Sequence, residues 1–141
     1  MTERGAETVL VVEDNPDHAI LVRIAARRAH PGLDVRVVEN GDQAIAYLAG
    51  TGQFGDRVSH PFPKLVILDL VMPQTDGFGV LEWVGSRPEL SDLSVVALTS
   101  SVNPGDEVRA LQLGAEAFYH KPADLDELGE TVRTIVERCL D

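Results

Sequence analysis

Short runs of aliphatic residues recur along the chain and are separated by longer amphipathic segments. Three runs contain no polar residue: Val9–Val12, Leu65–Leu68 and Val95–Leu98. Continuous apolarity over four residues is typical of strands that are buried on both faces, as in a parallel sheet. Two further runs, Asp34–Val38 and Ala117–His120, include polar residues. These two are predicted to be edge strands, which meet water on one side.

Helical patterns fill the intervals between the runs. Asn or Asp precedes most of them, where its side chain can cap backbone N–H groups, and Pro suits the first helical position. The markers are, in chain order, Asn15-Pro16, Asn40 with Gln43, Phe78 with Leu81 and Val84, Asn103-Pro104, and Asp124 with Glu127. The fifth pattern carries an apolar stripe from Leu125 to Cys139. Thr51–Pro63 has no periodicity and is predicted to be one long loop.

The alternation of five strands with five helices predicts right-handed βαβ crossovers and an α/β fold with a doubly wound parallel sheet. Placing the two polar runs at the edges selects strand order 2-1-3-4-5, the flavodoxin-like (βα)5 arrangement. A length of 141 residues suits a single domain. We expect its core to span about residues 8–138, with residues 1–7 as an N-terminal tail and no output domain.

Composition limits the partners. The chain has 12 Lys and Arg against 23 Asp and Glu, a net charge of −11, and an isoelectric point near 4.6. This charge repels phosphate backbones and anionic lipid, so neither nucleic acid nor a membrane is an expected partner. No apolar run approaches the roughly 20 residues of a membrane span, and residues 1–7 do not resemble a signal peptide, so we expect a cytoplasmic protein. Cys139 is the only cysteine, which excludes an internal disulfide and a cysteine-based zinc cluster.

Acidic residues stand where two central strands are predicted to end. Glu13 and Asp14 follow the first strand, and Asp69 follows the third. In this architecture ligands bind beyond the carboxyl ends of the strands, and these two strands are predicted neighbours. Three converging carboxylates would repel one another and raise their pKa values. A hard divalent cation relieves that repulsion, so the pattern predicts a Mg²⁺ site, with Mn²⁺ as an alternative.

Thr99 and Lys121 follow the fourth and fifth strands and are expected to reach the same rim. Lys121 is one of two lysines among the 12 basic residues, which indicates that a compact ammonium charge is needed there. A metal, a cation and a positioned nucleophile are what phosphoryl transfer requires.

The motifs that carry these residues resemble the receiver domains of two-component response regulators. They are Val9–Pro16, Leu65–Pro73 with Asp76-Gly77, Leu98–Ser100, and Lys121-Pro122. The resemblance covers about residues 8–138, with the motifs in the family's order. It implies a signalling module that catalyses only its own phosphorylation and dephosphorylation. It does not imply an enzyme that acts on a separate substrate.

The family's site residues carry over one by one. The resemblance implies that Asp69 accepts a phosphoryl group from a histidine of a sensor kinase. Asp14 would bind Mg²⁺ directly, and Glu13 would bind it through water. Asp69 and the backbone carbonyl of Val71 would be further ligands.

Three more positions have implied roles. Thr99 and Lys121 would hold the phosphoryl oxygens, and Lys121-Pro122 matches a cis peptide bond of the family. Phe118 stands where the family often has Tyr. An inward swing of its ring would switch the surface without a phenolic hydroxyl, and the alternative is a plain core residue. Tyr119 is predicted to face the other side of the strand.

A narrower resemblance is to the stand-alone regulators of bacterial phytochrome kinases. It rests on Glu13–His18, Pro61–Pro63 and Leu98–Ser101. It implies a phytochrome-type sensor kinase as partner and a homodimer, expected through the fourth helix, fifth strand and fifth helix. Val136, Cys139 and Leu140, near the end of the sequence, are expected to add apolar surface to that face.

The first helix carries a basic cluster of Arg23, Arg27 and Arg28. In the family this helix meets the helical dimerisation domain of the kinase, so we expect kinase contact there. A solvated helix face is the alternative. His18 is predicted to be a surface residue of the same helix.

The same residues argue against two other functions. A haloacid-dehalogenase-type phosphatase needs a second acid two positions after its nucleophile, whereas Leu70 and Val71 follow Asp69. A flavodoxin-like FMN binder needs a Ser/Thr/Gly-rich loop where Glu13–Asp17 stands. An unphosphorylated docking receiver and a phosphate sink in a phosphorelay stay open as alternatives.

Overall fold

The computed structural model of the protein describes residues 7–72, 76–101 and 103–140, in which five strands alternate with five helices. The predicted tail spans residues 1–7, and its first six residues lie outside the described residues, as does Pro73 of the third-strand motif. The strands are Thr8–Val12 (β1), Asp34–Val38 (β2), Leu65–Leu68 (β3), Ser94–Thr99 (β4) and Ala117–His120 (β5). The helices are Pro16–Ala29 (α1), Gly41–Ala49 (α2), Gly77–Gly85 (α3), Pro104–Gln112 (α4) and Leu125–Cys139 (α5).

All strand pairs are parallel, and the sheet order is β2-β1-β3-β4-β5. The predicted order is therefore confirmed. Both edge strands include half-exposed residues, whereas β1 and β3 are buried throughout. The register pairs Val12 of β1 with Leu68 of β3, so the two central strands end side by side.

The core lies in two layers, one on each face of the sheet. Leu10 and Val12 pack with buried residues of α2, α3 and α4. Val9 and Val11 point to the other face, where they pack with α1 and α5. Because consecutive strand residues point to opposite faces, one continuous apolar run supplies both layers.

Predicted cap residues begin four of the helices. The side chains of Asn15, Asn40, Asn103 and Asp124 accept hydrogen bonds from backbone N–H groups in the first turn of α1, α2, α4 and α5. Each cap satisfies donors that the helix leaves unpaired at its start. Among the described helices, none has the length and apolarity that crossing a membrane requires.

Two details of the last helix differ from the prediction. Leu125 lies at the helix start and is 58% exposed, so the buried stripe begins at Leu128 instead. Of the three residues expected to add apolar surface to a dimer face, Val136 and Leu140 are buried in the core, and Cys139 is half-buried beside them. Val136 and Leu140 therefore belong to the core and add no apolar surface to a dimer face.

The predicted long loop is more ordered than its sequence suggests. Gly52–Phe54 forms a short 3₁₀ helix, and the ring of Phe54 packs 5.0 Å from that of Tyr47. The Tyr47 hydroxyl, in turn, donates a 2.8 Å hydrogen bond to the carbonyl of Pro61. A helix residue therefore holds both ends of the loop that leads into β3.

Candidate functional site

Three carboxylates meet at the carboxyl end of the sheet. Glu13 and Asp14 follow β1, Asp69 follows β3, and one oxygen of each lies within 4.8 Å of the others. Glu13 and Asp69 are each only 4% exposed, whereas Asp14 is open to solvent. The convergence predicted from the strand order is therefore present.

The donor chemistry of this cluster fits a hard divalent cation. All three groups offer carboxylate oxygens, which Mg²⁺ and Mn²⁺ prefer, and the exposed side at Asp14 leaves room for water ligands. Burial raises the pKa of Glu13 above its usual 4.5, and the neighbouring Asp69 acts in the same direction. The pair of buried acids therefore needs positive charge nearby.

Lys121 supplies one such charge. Its Nζ lies 2.6 Å from Oε1 of Glu13 and 2.9 Å from Oδ2 of Asp69. The lysine side chain is only 5% exposed. Burial alone lowers the pKa of Lys121, but its hydrogen bonds to the two carboxylates and their charges outweigh burial and raise the pKa above 10.5. The two carboxylates therefore favour the ammonium form of Lys121.

Backbone N–H groups fix the other oxygens of both buried acids. Oε2 of Glu13 accepts a 3.0 Å hydrogen bond from the backbone of Asn15. Oδ1 of Asp69 accepts a 3.0 Å hydrogen bond from the backbone of Val71. Each carboxylate thus has one oxygen on the backbone and the other on Lys121. The implied ligation of a metal by the Val71 carbonyl stays a prediction.

Thr99 ends β4 and is fully buried. Its carbonyl accepts a 2.8 Å hydrogen bond from the backbone of Lys121, because β4 and β5 continue their pairing past His120. Its hydroxyl oxygen accepts one from the backbone of Ser101 at 3.2 Å. Ser101 also donates to the carboxylate of Asp106 in α4. Thr99 therefore joins the site to the loop that leads into α4.

Phe118 is half-buried on the face of the sheet that packs with α2, α3 and α4. Its ring meets that of His120 edge-on, with centroids 5.2 Å apart. Tyr119 packs on the opposite face, which confirms the predicted alternation. The switching role of Phe118 stays a prediction.

One peptide bond differs from the prediction. The described residues contain no cis peptide bond, so the Lys121–Pro122 bond is trans and the implied cis isomer is wrong. The two isomers of an X–Pro bond differ by only about 0.5–1 kcal/mol, so the dipeptide itself did not decide between them.

Sequence reasoning missed His18 as a member of the site. It is half-buried, and its Nδ1 lies 3.2 Å from Nζ of Lys121, 103 positions away along the chain. The prediction of a helix-surface residue was therefore incomplete. One signal was available in the sequence. His18 lies in the first turn of α1, which begins only four positions after β1 ends, so this turn must lie close to Glu13 and Asp14.

Comparison with known proteins identifies the same architecture. Residues 9–133 match the family profile described as the response regulator receiver domain. Response regulator Rre1 of Synechocystis sp. is 36% identical over 71% of this chain, and the matched part is 43% of that protein's length.

Two solved structures cover nearly all of the chain. The phosphorylated cyanobacterial phytochrome response regulator RcpA is 31% identical, with a TM-score of 0.89 over 96% of this chain and 95% of that one. The Mn²⁺-bound form of Rcp1, the Synechocystis sp. regulator, is 29% identical, with a TM-score of 0.83 over 92% of this chain and 91% of that one. The predicted resemblance to phytochrome-linked regulators is thus confirmed.

Proposed function

We propose that this chain, which belongs to the family of response regulator receiver domains, accepts a phosphoryl group on Asp69 from a histidine of a sensor kinase. The observation that carries the proposal is the environment of Asp69. Its carboxylate is 4% exposed, contacts Lys121 at 2.9 Å and lies beside two further acids. A buried nucleophile with a cation and a metal-binding cluster suits phosphoryl transfer.

The proposed reaction forms a bond between phosphorus and an oxygen of Asp69 and breaks the bond between phosphorus and the kinase imidazole. A divalent cation held by Asp14, Asp69, the Val71 carbonyl and, through water, Glu13 would neutralise the charge on the carboxylates and the phosphoryl oxygens. Mg²⁺ is the proposed ion, and Mn²⁺ is an alternative because it takes the same kinds of oxygen ligands. Lys121 would offer its ammonium to a phosphoryl oxygen.

Thr99 is the proposed route out of the site. A phosphoryl group on Asp69 would attract the Thr99 hydroxyl, which now accepts from Ser101. That movement would alter the loop before α4, because Ser101 also binds Asp106 of that helix. A ligand shifts an equilibrium only through contacts that differ between the two states, and this hydroxyl supplies one. The surface of α4, β5 and α5 is therefore the proposed output face, with Phe118 at its edge.

A sensor kinase of the phytochrome type is the proposed donor. RcpA is named a phytochrome response regulator, and its fold overlays nearly the whole chain. A groove of about 430 Å³ adjoins Glu13 and Asp14 and is lined further along α1 by Ile20 and Arg23. Ile20 is 59% exposed, so this helix offers both apolar and basic contacts to a kinase helix.

A homodimer through α4, β5 and α5 is proposed as the signalling form. Val108 and Leu111 of α4 are 56% and 44% exposed, which leaves apolar surface on this face. A receiver that docks without phosphorylation and a phosphate sink are the alternatives. The docking receiver predicts no phosphorylation, and the phosphate sink predicts phosphorylation without a change of oligomeric state.

The test is incubation with acetyl phosphate and Mg²⁺, followed by the intact mass. We expect one phosphoryl group on the wild type, none without a divalent cation and none on Asp69→Asn, which keeps the shape of the side chain. Equal labelling of Asp69→Asn would contradict the assignment. An unlabelled wild type would favour the docking receiver.

A further inference from the structure

Among the described residues, the ammonium of Lys121 has three partners, and only one of them is not a carboxylate. Glu13 and Asp69 take two of its hydrogens, and Nδ1 of His18 lies 3.2 Å from the same nitrogen. An ammonium offers three donors and no acceptor. Nδ1 of His18 must therefore accept the third hydrogen, which fixes the ring as the tautomer that carries its proton on Nε2.

We propose that His18 is a positioning residue that holds Lys121 in place for the phosphoryl group. The inference rests on the proposed function. A metal ion would compete with Lys121 for the oxygens of Glu13 and Asp69, and the phosphoryl oxygens would compete with these carboxylates for the ammonium. Nδ1 of His18 does not take part in that competition, because Mg²⁺ prefers oxygen ligands and this nitrogen already lies against the ammonium. It therefore keeps one hydrogen bond to the ammonium while the other two exchange partners, and it leaves the positive charge available to the phosphoryl group.

The local structure fixes His18 from the same end of the sheet. The Asn15 side chain accepts from the backbone of Asp17 at 2.9 Å and of His18 at 3.3 Å. The Asn15 backbone donates to Glu13. The cap that begins α1 is thus tied to the acidic cluster, and it sets the position of the imidazole relative to Lys121.

The alternative, that His18 is only a solvent-exposed helix residue, explains its position less well. Exposed histidines on a first helical turn do not need to meet a cation, and the ammonium here is 5% exposed. The contact links elements 103 positions apart, so chain proximity does not produce it.

Two substitutions of nearly equal shape test the acceptor. Asn places an oxygen close to the position of Nδ1, whereas Leu has the same branching and no acceptor. Beryllofluoride, a mimic of the acyl phosphate, is titrated with Mg²⁺ into the wild type, His18→Asn and His18→Leu by calorimetry. We expect His18→Leu to bind about tenfold more weakly, which is the loss of one hydrogen bond to a charged group. We expect His18→Asn to bind within about threefold of the wild type.

The outcomes separate this inference from the proposed function. A wild type that binds no beryllofluoride overturns both. If His18→Leu binds beryllofluoride as tightly as the wild type, the role of His18 is overturned and the proposed function is not. Equal weakening of both variants shows a dependence on the imidazole as a whole and contradicts the acceptor role.

A spectroscopic test uses the wild-type ring directly. Long-range ¹H–¹⁵N spectra at pH 8 report which ring nitrogen of His18 carries the proton. We expect the proton on Nε2 in the wild type and a mixture of tautomers in Lys121→Met, which removes the donor. A wild-type ring protonated on Nδ1 would overturn the inference, whatever the affinities of the two variants.

Discussion

The ammonium nitrogen of Lys121 lies 2.9 Å from Oδ2 of Asp69, although 52 positions separate the two residues along the chain. Strand β4 lies between their strands, and each residue follows the last position of its own strand. The same nitrogen contacts Glu13. Lysine and metal would therefore share the same carboxylates, and this competition determines how the site responds to substitution.

Replacement of Lys121 by Met is expected to destabilise the fold by about 3 kcal/mol, because two buried carboxylates lose their shared counter-charge. Added Mg²⁺ is expected to restore part of the loss by taking the place of the ammonium. Thermal unfolding with and without Mg²⁺ measures both effects. The control is Lys64→Met at the only other lysine, which is 62% exposed and paired with Glu7.

The stability of the control variant should stay within about 0.5 kcal/mol of the wild type, as is usual for an exposed ion pair.

The stabilisation by Lys121 is expected to depend on pH with a definite sign. The pKa of Lys121 is raised in the folded state, so its stabilisation is complete below pH 10.5 and is lost as the pH rises through the folded value. Equal stability of the two Met variants at neutral pH would contradict the role of Lys121.

Asp14 and Glu13 are expected to differ in their effect on metal affinity. Both oxygens of Glu13 are already engaged, by Lys121 and by the Asn15 backbone, whereas Asp14 is exposed. We expect Asp14→Asn to weaken Mg²⁺ binding by about a hundredfold and Glu13→Gln by about tenfold. Calorimetric titration with Mg²⁺ measures both, and equal losses would contradict the direct and water-mediated roles.

Gly77 is expected to tolerate no side chain. A Cβ at this position would lie 2.6 Å from the carbonyl oxygen of Asp69 and 2.7 Å from Cα of Leu70. Both are backbone atoms, so the loop after β3 would have to move. We expect Gly77→Ala to cost about 2 kcal/mol of stability and to slow phosphorylation of Asp69.

The matched control for that variant is Gly129→Ala inside α5. Its Cβ would meet only the Cβ of Ala25, at 3.9 Å, and alanine favours a helix. We expect this variant to gain up to about 1 kcal/mol in urea unfolding and to be phosphorylated normally. A Gly77→Ala protein as stable as Gly129→Ala would show that the loop adapts.

Dimerisation is expected to depend on α4. We expect beryllofluoride to convert monomer to dimer in sedimentation velocity, and Val108→Asp to prevent this by placing a charge on the exposed apolar face. Val58→Asp is the control, since Val58 is 90% exposed and lies in the loop before β3. A monomer with and without beryllofluoride at tens of micromolar would exclude the dimer.

The fold and the acidic cluster were predictable because both depend on strand patterns. Aliphatic runs such as Leu65–Leu68 mark the strands, polar residues such as Arg36 mark the edges, and Asp69 follows directly at a strand end. A parallel sheet brings all such ends to one side, so no side-chain geometry was needed.

Features that depend on packing were not predictable. The contact of His18 with Lys121 depends on how α1 lies over the sheet, and the burial of Leu140 depends on how the end of α5 packs against the core. The isomer of the Lys121–Pro122 bond depends on a free-energy difference too small for the dipeptide to fix. To predict features of this kind, one must know how the elements pack against one another.

The central claim is that Asp69 itself carries the phosphoryl group, and locating the modified residue tests it most directly. Borohydride converts an aspartyl phosphate to homoserine, so reduction of protein treated with acetyl phosphate and Mg²⁺ leaves a stable mark for peptide sequencing by mass spectrometry. We predict homoserine at position 69 and unmodified aspartate at position 14. Homoserine at another acid, or none at position 69 in protein whose mass shows phosphorylation, would contradict the account.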